Sequence, residues 1–355
     1  MKLDLELVPE RDLKNKPDEK HLGFGKYFTD HMLVIKYTHG EGWHDAIIKK
    51  YGDFSLDPAA MVFHYGQAIF EGLKAYRGTN GANYLFRPAD NLRRMNDSAK
   101  RMCMPALPVD YVLEALKKLL EIDQQWIPKA PGSSLYIRPT MIASEAGLGV
   151  KPAKEYLFYI ILSPVGAYYP EGFNPVKIYV TDKYVRAVKG GVGEVKTAGN
   201  YAASIMAALE AQQKGYTQVL WLDGIERRYV EEIGTSNIFF KINDELVTPA
   251  LSGSILPGIT RDSVMKLAQH WGVPVVERPV SIDEVMQAVE DDSLQEIFAS
   301  GTAASISPVG ALNYQGKEYP IHGEKIGPLA QRMFSELQGI QYGSLGDIFG
   351  WRVAL

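Results

Sequence analysis

The chain has 355 residues, a formal net charge of −4 at pH 7, 46% hydrophobic residues and 23% charged residues. This length exceeds the size of one typical hydrophobic core, so two domains of an ordinary globular protein are expected. The charge balance offers no basic surface for nucleic acid, and no apolar run approaches the roughly 20 residues of a membrane helix.

The N-terminal 20 residues mix acidic and basic side chains around no apolar core, which predicts a cytoplasmic location. The single cysteine, Cys103, excludes a disulfide within the chain. The seven histidines form none of the spacings that are typical of metal ligands, so no metal site is expected.

The first half of the chain reads as strands separated by helices. Strands are predicted at residues 32–37, 84–86, 135–143 and 156–162. A helix is predicted after Asp90, its N-cap, because apolar residues recur every three or four positions from Leu92 to Met102.

Residues 163–175 contain three prolines and two glycines, which favours an irregular connection. We therefore predict a smaller N-terminal α/β domain at 1–170, an interdomain connection at 171–181 and a larger C-terminal domain at 182–355.

The second half mixes strands and helices without a regular alternation. Strands are predicted at residues 176–180, 218–222, 237–242, 245–248, 296–300 and 306–313. Helices are predicted at 201–214, ended by Gly215, from Gly258 to Trp271, and after the capping box of Ser281 and Glu284. The pattern predicts an α+β protein rather than a doubly wound parallel sheet.

A glycine-rich run at residues 189–200 surrounds Lys196. A phosphate-binding P-loop would need glycine where Val195 stands, and a dinucleotide fingerprint would need glycine at position 196. A lone lysine is usually a surface residue, but four glycines nearby allow a backbone to approach a ligand closely.

The motifs GVGEVKTAGNYA, EEIGTSNIF and ILPGITR resemble those of fold-type IV pyridoxal-phosphate enzymes. The segments HYGQAIFEGLKAYRG, FTDHMLV, LYIRP and SGTAASISPVG are similar to those of branched-chain amino-acid aminotransferases. These motifs follow one another from about Phe24 to Gly310, so the resemblance covers most of the chain.

The resemblance implies a two-domain fold of mixed sheets and helices, with the active site at the domain interface and the cofactor bound by the C-terminal domain. It also implies a homodimer whose substrates are amino acids and 2-oxo acids. The expected reaction is transamination of L-leucine, L-isoleucine and L-valine with 2-oxoglutarate, which gives branched-chain 2-oxo acids and L-glutamate.

The family motifs imply roles for individual residues. Lys196 would hold pyridoxal 5'-phosphate as a Schiff base and move the substrate proton. Glu232, two residues before Gly-Thr-x-Asn, would keep the pyridine nitrogen protonated. The neighbouring Glu231 remains an alternative, although successive strand residues face opposite sides and only one can reach the ring.

The resemblance assigns the other cofactor contacts to Tyr201 at the 3′-oxygen, Leu256 against the ring, and Arg94, Thr235, Thr302, Ile259 and Thr260 at the phosphate. It assigns the substrate pocket to Phe24, Tyr65, Tyr136, Tyr168, Thr302 and Ala303, with Arg138 as a cation that meets the glutamate carboxylate.

Two other readings remain open. A D-amino-acid aminotransferase or an aminodeoxychorismate lyase would share Lys196 and Glu232, but the segments around Arg138 and FEGLKAYRG argue against both. A catalytically silent cofactor-binding protein would have no need of both the lysine and the carboxylate.

Overall fold

The computed structural model describes residues 1–166 and 173–355, and the chain divides into two compact units. The first unit contains residues 1–168, 196–198 and 339–355, and the second contains 169–195 and 199–338. The boundaries of these units differ from those of the predicted domains. The chain re-enters the first unit briefly at Lys196 and finally at Gly339, and residues 176–180 form a strand of the second unit rather than part of a connection.

The first unit is built on one sheet covered by helices. Its strands, numbered in chain order, are β1 (Leu3–Leu5), β2 (His31–Thr38), β3 (Gly42–Lys50), β4 (Ala68–Phe70), β5 (Leu73–Arg77), β6 (Asn83–Phe86), β7 (Ser134–Ala143) and β8 (Glu155–Val165). Its helices are α1 (Met61–Tyr65), α2 (Pro88–Arg101) and α3 (Val109–Ile122). The strand order is β1-β3-β2-β8-β7-β5-β6, β4 pairs with β7, and only β1 and β3 among these strands run parallel.

The helices α2 and α3 cover this sheet because each has one continuous apolar face. Leu92, Met95 and Ala99 of α2 are completely buried in the same core as Leu116 and Leu119 of α3. This face matches the predicted periodicity. The predicted N-cap was wrong, since the helix begins at Pro88 after Arg87, and proline favours this first position because the helix needs no N–H there.

The second unit contains a mixed sheet. Its strands are β9 (Val176–Val180), β10 (Gln218–Leu222), β11 (Val230–Ile233), β12 (Asn237–Ile242), β13 (Glu245–Pro249), β14 (Val275–Arg278), β15 (Leu294–Gly301), β16 (Ser305–Tyr314) and β17 (Lys317–Pro320). The order is β11-β10-β9-β16-β15-β12-β13-β14, with β17 paired to β16. Parallel pairing joins β9 to both β10 and β16, and joins β13 to β14.

The helices of the second half are α4 (Ala198–Ala202), α5 (Ile205–Gln213), α6 (Ile259–His270), α7 (Ile282–Glu290) and α8 (Pro328–Gln341). The single helix predicted at 201–214 is therefore interrupted. Ser204 lies at the break, and its hydroxyl donates to the carbonyl of Tyr201 (2.8 Å). Gly215 has φ +85°, the left-handed conformation expected after a helix end.

The last strand, β18 (Arg352–Ala354), pairs antiparallel with β6 and completes the sheet of the first unit. Short 3-10 helices occur at Glu10–Asp12, Glu19–His21, Gln124–Trp126 and His322–Glu324. Together the two mixed sheets with their helices confirm the predicted α+β class. Within the described ranges, no helix combines the length and the apolar character that crossing a membrane requires.

Candidate active site

Lys196 is held against strand β4 by its backbone. Its N–H donates to Ser98 Oγ (3.0 Å), and its carbonyl accepts from the N–H of Phe70 (3.0 Å). The next residue, Thr197, bridges to Ile69 in antiparallel register. The lysine backbone is thus fixed by two elements of the first unit, α2 and β4.

Two of the glycines near Lys196, Gly191 and Gly193, lie close to other backbone atoms of the protein. A Cβ on Gly193 would lie 2.3 Å from the Ser254 carbonyl oxygen, and one on Gly191 would lie 2.9 Å from the Val188 oxygen. At both positions the glycine therefore accommodates protein backbone. The close approach of this run to a ligand stays a prediction.

An aromatic ring lies between two cations in the first unit. The guanidinium carbon Cζ of Arg138 is 4.6 Å from the ring centroid of Phe70, and Lys196 Nζ is 5.0 Å from the same centroid. Arg138 Nη2 also donates to the Tyr136 hydroxyl (3.1 Å), and the Tyr136 ring packs edge-on against Phe24 at 4.9 Å between centroids. The structure therefore links four predicted residues in one chain of contacts: Lys196 and Arg138 share the ring of Phe70, which was not predicted, Arg138 contacts Tyr136, and Tyr136 contacts Phe24.

Arg138 has one side-chain nitrogen, Nε, that is buried without a hydrogen-bond partner within the described part of the chain. A guanidinium presents five N–H donors in a planar fork that matches a carboxylate. Arg138 is therefore equipped to bind an additional anion.

Arg94 lies on the buried face of α2 and is paired with a buried carboxylate. Its Nε donates to Glu71 Oε1 (2.7 Å) and its Nη2 donates to Glu71 Oε2 (2.8 Å). Burial by itself raises the pKa of Glu71, but the Arg94 charge and hydrogen bond, with smaller contributions from Lys196 and Asn91, hold that pKa below its ordinary value. The carboxylate is therefore ionised between two of the predicted cofactor-binding cations.

Four predicted cofactor residues of the second unit line one small cavity: Tyr201, Glu232, Thr235 and Leu256. They come from separate elements, with Tyr201 on α4, Glu232 on β11, Thr235 in the β11–β12 turn and Leu256 in the segment before α6. Sequence motifs up to 55 residues apart in number thus meet at one place.

Glu232 is almost fully buried, and its partners include Arg186 and Asn237. Arg186 Nε forms an ion-pair contact with Glu232 Oε2, and Asn237 Nδ2 donates to Oε1 (3.2 Å). Arg186 is fixed in turn by donating to the Gly193 carbonyl (2.8 Å) and to that of Ser254. An adjacent guanidinium favours the ionised carboxylate, the form that can hold a proton on a ring nitrogen.

Glu231 has a different environment. It accepts a hydrogen bond from Ser254 Oγ, its Oε2 is buried without a partner among described residues, and it does not line the cavity that contains Glu232. Burial raises the pKa of Glu231 despite the Ser254 hydrogen bond. The alternation of strand side chains therefore separates the two neighbouring carboxylates, and only Glu232 joins the other predicted residues.

Ile259 and Thr260 are the first two residues of α6, so their backbone N–H groups lie at a helix N-terminus. The preceding Gly258 packs against Asn237, whose Oδ1 would be 1.9 Å from a Cβ at position 258. Asn237 Nδ2 also donates to the Leu256 carbonyl (2.9 Å). One side chain thus connects the carboxylate Glu232 to the start of this helix.

Thr302 and Ala303 occupy the turn between β15 and β16, which the pair Gly301–Ser305 closes. A Cβ on Gly301 would meet Ser236 Oγ at 2.9 Å, so this turn lies against the turn that contains Thr235. Both turns belong to the second unit.

Two predicted residues stand apart from these groups. Tyr65 ends the short helix α1, is 38% exposed and donates its hydroxyl hydrogen bond to the Leu148 carbonyl. Tyr168 lies outside the described residues.

Sequence reasoning missed Phe70, Glu71, Arg186 and Asn237. The signal for Glu71 was available, because it is a lone charge between apolar strands, and a buried acid usually has a partner. Asn237 is the asparagine of the Gly-Thr-x-Asn motif, so a signal for it was available as well. Arg186 carries no such signal, since its role depends on segments that are distant in sequence.

Comparison with known proteins agrees with this geometry. Residues 68–312 match the family model of the class IV amino-transferases. The chain belongs to this family. It is 54% identical to branched-chain-amino-acid aminotransferase 2 of Bacillus subtilis over 338 residues, which cover 95% of this chain and 93% of the relative.

Two solved structures are similar in fold. The branched-chain amino acid aminotransferase of Escherichia coli superposes with a TM-score of 0.74 at 27% identity, covering 90% of this chain and 98% of that one. The branched-chain aminotransferase of the archaeon Thermoproteus uzoniensis, determined with norvaline, has a TM-score of 0.76 at 25% identity and coverages of 91% and 99%. The family resemblance seen in the sequence, the two-domain α+β fold and the aminotransferase class are confirmed.

Proposed function

We propose that this protein transfers the amino group of L-leucine, L-isoleucine or L-valine to 2-oxoglutarate, with pyridoxal 5'-phosphate as cofactor. The observation that carries the proposal is the 54% identity to a branched-chain-amino-acid aminotransferase over nearly the whole length of both chains. When bound, the cofactor acts as an electron sink for negative charge at the substrate Cα.

The donor set fits the cofactor. Glu232, which forms an ion-pair contact with Arg186, is the carboxylate that a protonated pyridine nitrogen requires, and Tyr201 and Leu256 line the same cavity. The amides at the start of α6 and the Thr235 hydroxyl supply neutral donors for a phosphate, and Arg94 supplies a cation. Thr302 is assigned to the phosphate and the substrate on the sequence motif alone.

Lys196 is the residue that binds the cofactor covalently and accepts the proton from the substrate Cα. Its backbone hydrogen bonds to Ser98 and Phe70 fix the origin of this flexible side chain, while the four rotatable bonds let Nζ move. Such an anchored amine suits a group that must bind, release and carry a proton.

The pocket has to accept an apolar side chain and then the second carboxylate of 2-oxoglutarate. Phe24 and Tyr136 supply apolar walls, and Arg138 supplies a cation held over aromatic rings, without a carboxylate ion pair among the residues that the structure describes. A cation–π contact exchanges for a charge-assisted hydrogen bond at modest cost, so Arg138 can turn to a carboxylate when one arrives. Tyr65, Tyr168 and Ala303 complete the proposed pocket.

We also propose a cytoplasmic homodimer. Apolar side chains are exposed on α5 at Ile205 and Met206, and on the first unit at Phe63, Leu148 and Val150. Exposed apolar groups of this size are typical of surfaces that associate. Light scattering should give twice the mass of one chain, and a mass of one chain would reject the dimer.

The catalytic proposal is tested by following glutamate formation from leucine and 2-oxoglutarate. Lys196→Ala should abolish turnover and the visible absorbance of the bound cofactor, whereas Lys189→Ala, an exposed lysine of the same glycine-rich run, should change neither. Unchanged turnover in Lys196→Ala would refute the proposal. A panel of L- and D-amino acids separates it from a D-amino-acid aminotransferase, which would prefer the D-donors.

A further inference from the structure

Glu71 is a completely buried carboxylate beside the predicted site residue Arg94 in the first unit. Its side chain is fully buried, and its carboxylate accepts four hydrogen bonds: two from Arg94, one from Asn91 Nδ2 (2.9 Å) and one from the N–H of Gly72 (3.1 Å). A buried charge with all its partners in place is rigid, because moving it would leave polar groups unsatisfied.

The backbone around Glu71 is fixed as well. Its own N–H donates to the Pro139 carbonyl on β7 (2.8 Å), and the following Gly72 carbonyl accepts from Asn91 (3.2 Å). Glu71 therefore joins the strand that carries Arg138 to the helix that carries Arg94.

The pairing with Arg94 is made through two different nitrogens, Nε and Nη2, to two different carboxylate oxygens. Two parallel hydrogen bonds of this kind fix the plane of a guanidinium as well as its distance. The third nitrogen, Nη1, then projects from the edge of that plane that does not face Glu71. A single hydrogen bond would leave the guanidinium able to turn.

We propose that Glu71 is a positioning residue that orients Arg94 toward the cofactor phosphate. This inference rests on the proposed role of Arg94 as the phosphate-binding cation. It assigns to Glu71 no contact with substrate or cofactor; its effect passes through the guanidinium.

A carboxylate near a phosphate site is unfavourable in charge alone, so the proposal makes a distinctive prediction. If Glu71 acted only through its charge, its removal would strengthen phosphate binding. If it positions Arg94, its removal weakens phosphate binding, because the amide of Glu71→Gln presents a donor to a guanidinium that has only donors.

The test compares two probes, pyridoxal 5'-phosphate and pyridoxal, titrated into the full-length protein after removal of cofactor. Both can bind Lys196, but only the first has the phosphate, so the ratio of their dissociation constants isolates the phosphate contribution. Glu71→Gln should reduce the preference for the phosphorylated form about 10-fold or more, as expected for a lost charge-assisted contact. Pyridoxal affinity should change little.

Arg94→Gln distinguishes a failure of the proposed role of Arg94 from a failure of the proposed role of Glu71. A normal phosphate preference in Arg94→Gln would reject Arg94 as the phosphate cation, and the inference with it. A preference lost in Arg94→Gln but retained in Glu71→Gln would reject the inference alone. In the Arg94→Gln background, adding Glu71→Gln should have no further effect, and an additive loss would show that Glu71 acts by another route.

Asn91→Ala provides a second test of the proposal in case the Glu71→Gln variant does not fold. It removes one brace of the carboxylate and keeps the Glu71–Arg94 pair, so the phosphate preference should fall in the same direction by a smaller factor. An unchanged preference in this variant, or equal losses for pyridoxal and its phosphate, would overturn the proposal.

Discussion

The two units of the molecule carry different halves of the proposed chemistry. The first unit contributes three cationic side chains, Lys196, Arg94 and Arg138. The buried carboxylate Glu71 is paired with Arg94. The second contributes the carboxylate Glu232, hydroxyls such as those of Tyr201 and Thr235, and the amides at the start of α6. The cationic side chains, including the amine that carries the proton, thus lie in a different unit from the carboxylate that tunes the ring. This division can be tested one unit at a time.

Among substitutions that leave Lys196 in place, the largest effect is expected in the second unit. Glu232→Gln should lower kcat by about 100-fold or more, since loss of a preorganised charge commonly has this size. Glu231→Gln is the matched control, because the neighbouring carboxylate bonds to Ser254 and lies outside the Glu232 cavity. Steady-state kinetics with leucine decide the matter, and a larger loss in Glu231→Gln would reverse the assignment.

In the first unit, Arg138→Gln should discriminate between substrates. We expect kcat/KM for glutamate to fall about 10- to 100-fold, the equivalent of a charged hydrogen bond of roughly 1.5 to 3 kcal/mol, while kcat/KM for leucine falls less. Tyr136→Phe removes only the hydroxyl that Arg138 contacts and serves as the control. An equal loss of kcat/KM for both amino acids would indicate that Arg138 maintains the structure of the pocket rather than binding the substrate carboxylate.

The Asn237 side chain, which connects Glu232 to the segment before α6, can be disturbed by a substitution at a neighbouring position. Gly258→Ala should lower the free energy of unfolding by about 1 to 3 kcal/mol, because its Cβ would overlap Asn237 Oδ1. Gly147→Ala has no atom within 4 Å of its Cβ and is the control. Urea unfolding measures both, and equal stabilities would show that Asn237 can move aside.

The smallest effect concerns a buried cation of the first unit that the proposed chemistry does not use. Burial lowers the pKa of Lys74 to about 8, below the ordinary 10.5 of the unfolded chain. Between these values the unfolded state binds more protons, so stability rises with pH there. Relative to Lys74→Met, the wild-type chain should gain about 1 kcal/mol between pH 8 and pH 9. A flat difference across this range would contradict the assignment.

Much of this arrangement could be predicted from the sequence. The apolar spacing from Leu92 to Met102 predicted the buried face of α2. The position of Glu232 two residues before Gly-Thr-x-Asn favoured it over Glu231, and the lining of the cavity also favours Glu232. The start of α2 could not be fixed because Asp90 and Pro88 are both good signals two residues apart.

Pairings between distant segments were not predictable. Glu71 and Arg94 are separated by the strands β5 and β6, the turn between them and half of α2, and no periodicity relates the two residues. The same holds for the break at Ser204, where one hydroxyl competes with the helical hydrogen bonds, and for β18, whose three residues are too few to show an alternation.

The pairing of β18 with β6 bears on how the protein is made. During synthesis the first 166 residues emerge early. The edge of their sheet at β6 remains unpaired until residues 352–354 have been made. A ribosome adding about 5 to 20 residues per second needs of the order of ten seconds or more to supply them, and an open strand edge can pair wrongly in that interval. Until residues 352–354 are made, the unpaired edge at β6 is therefore a place where the nascent chain can associate wrongly.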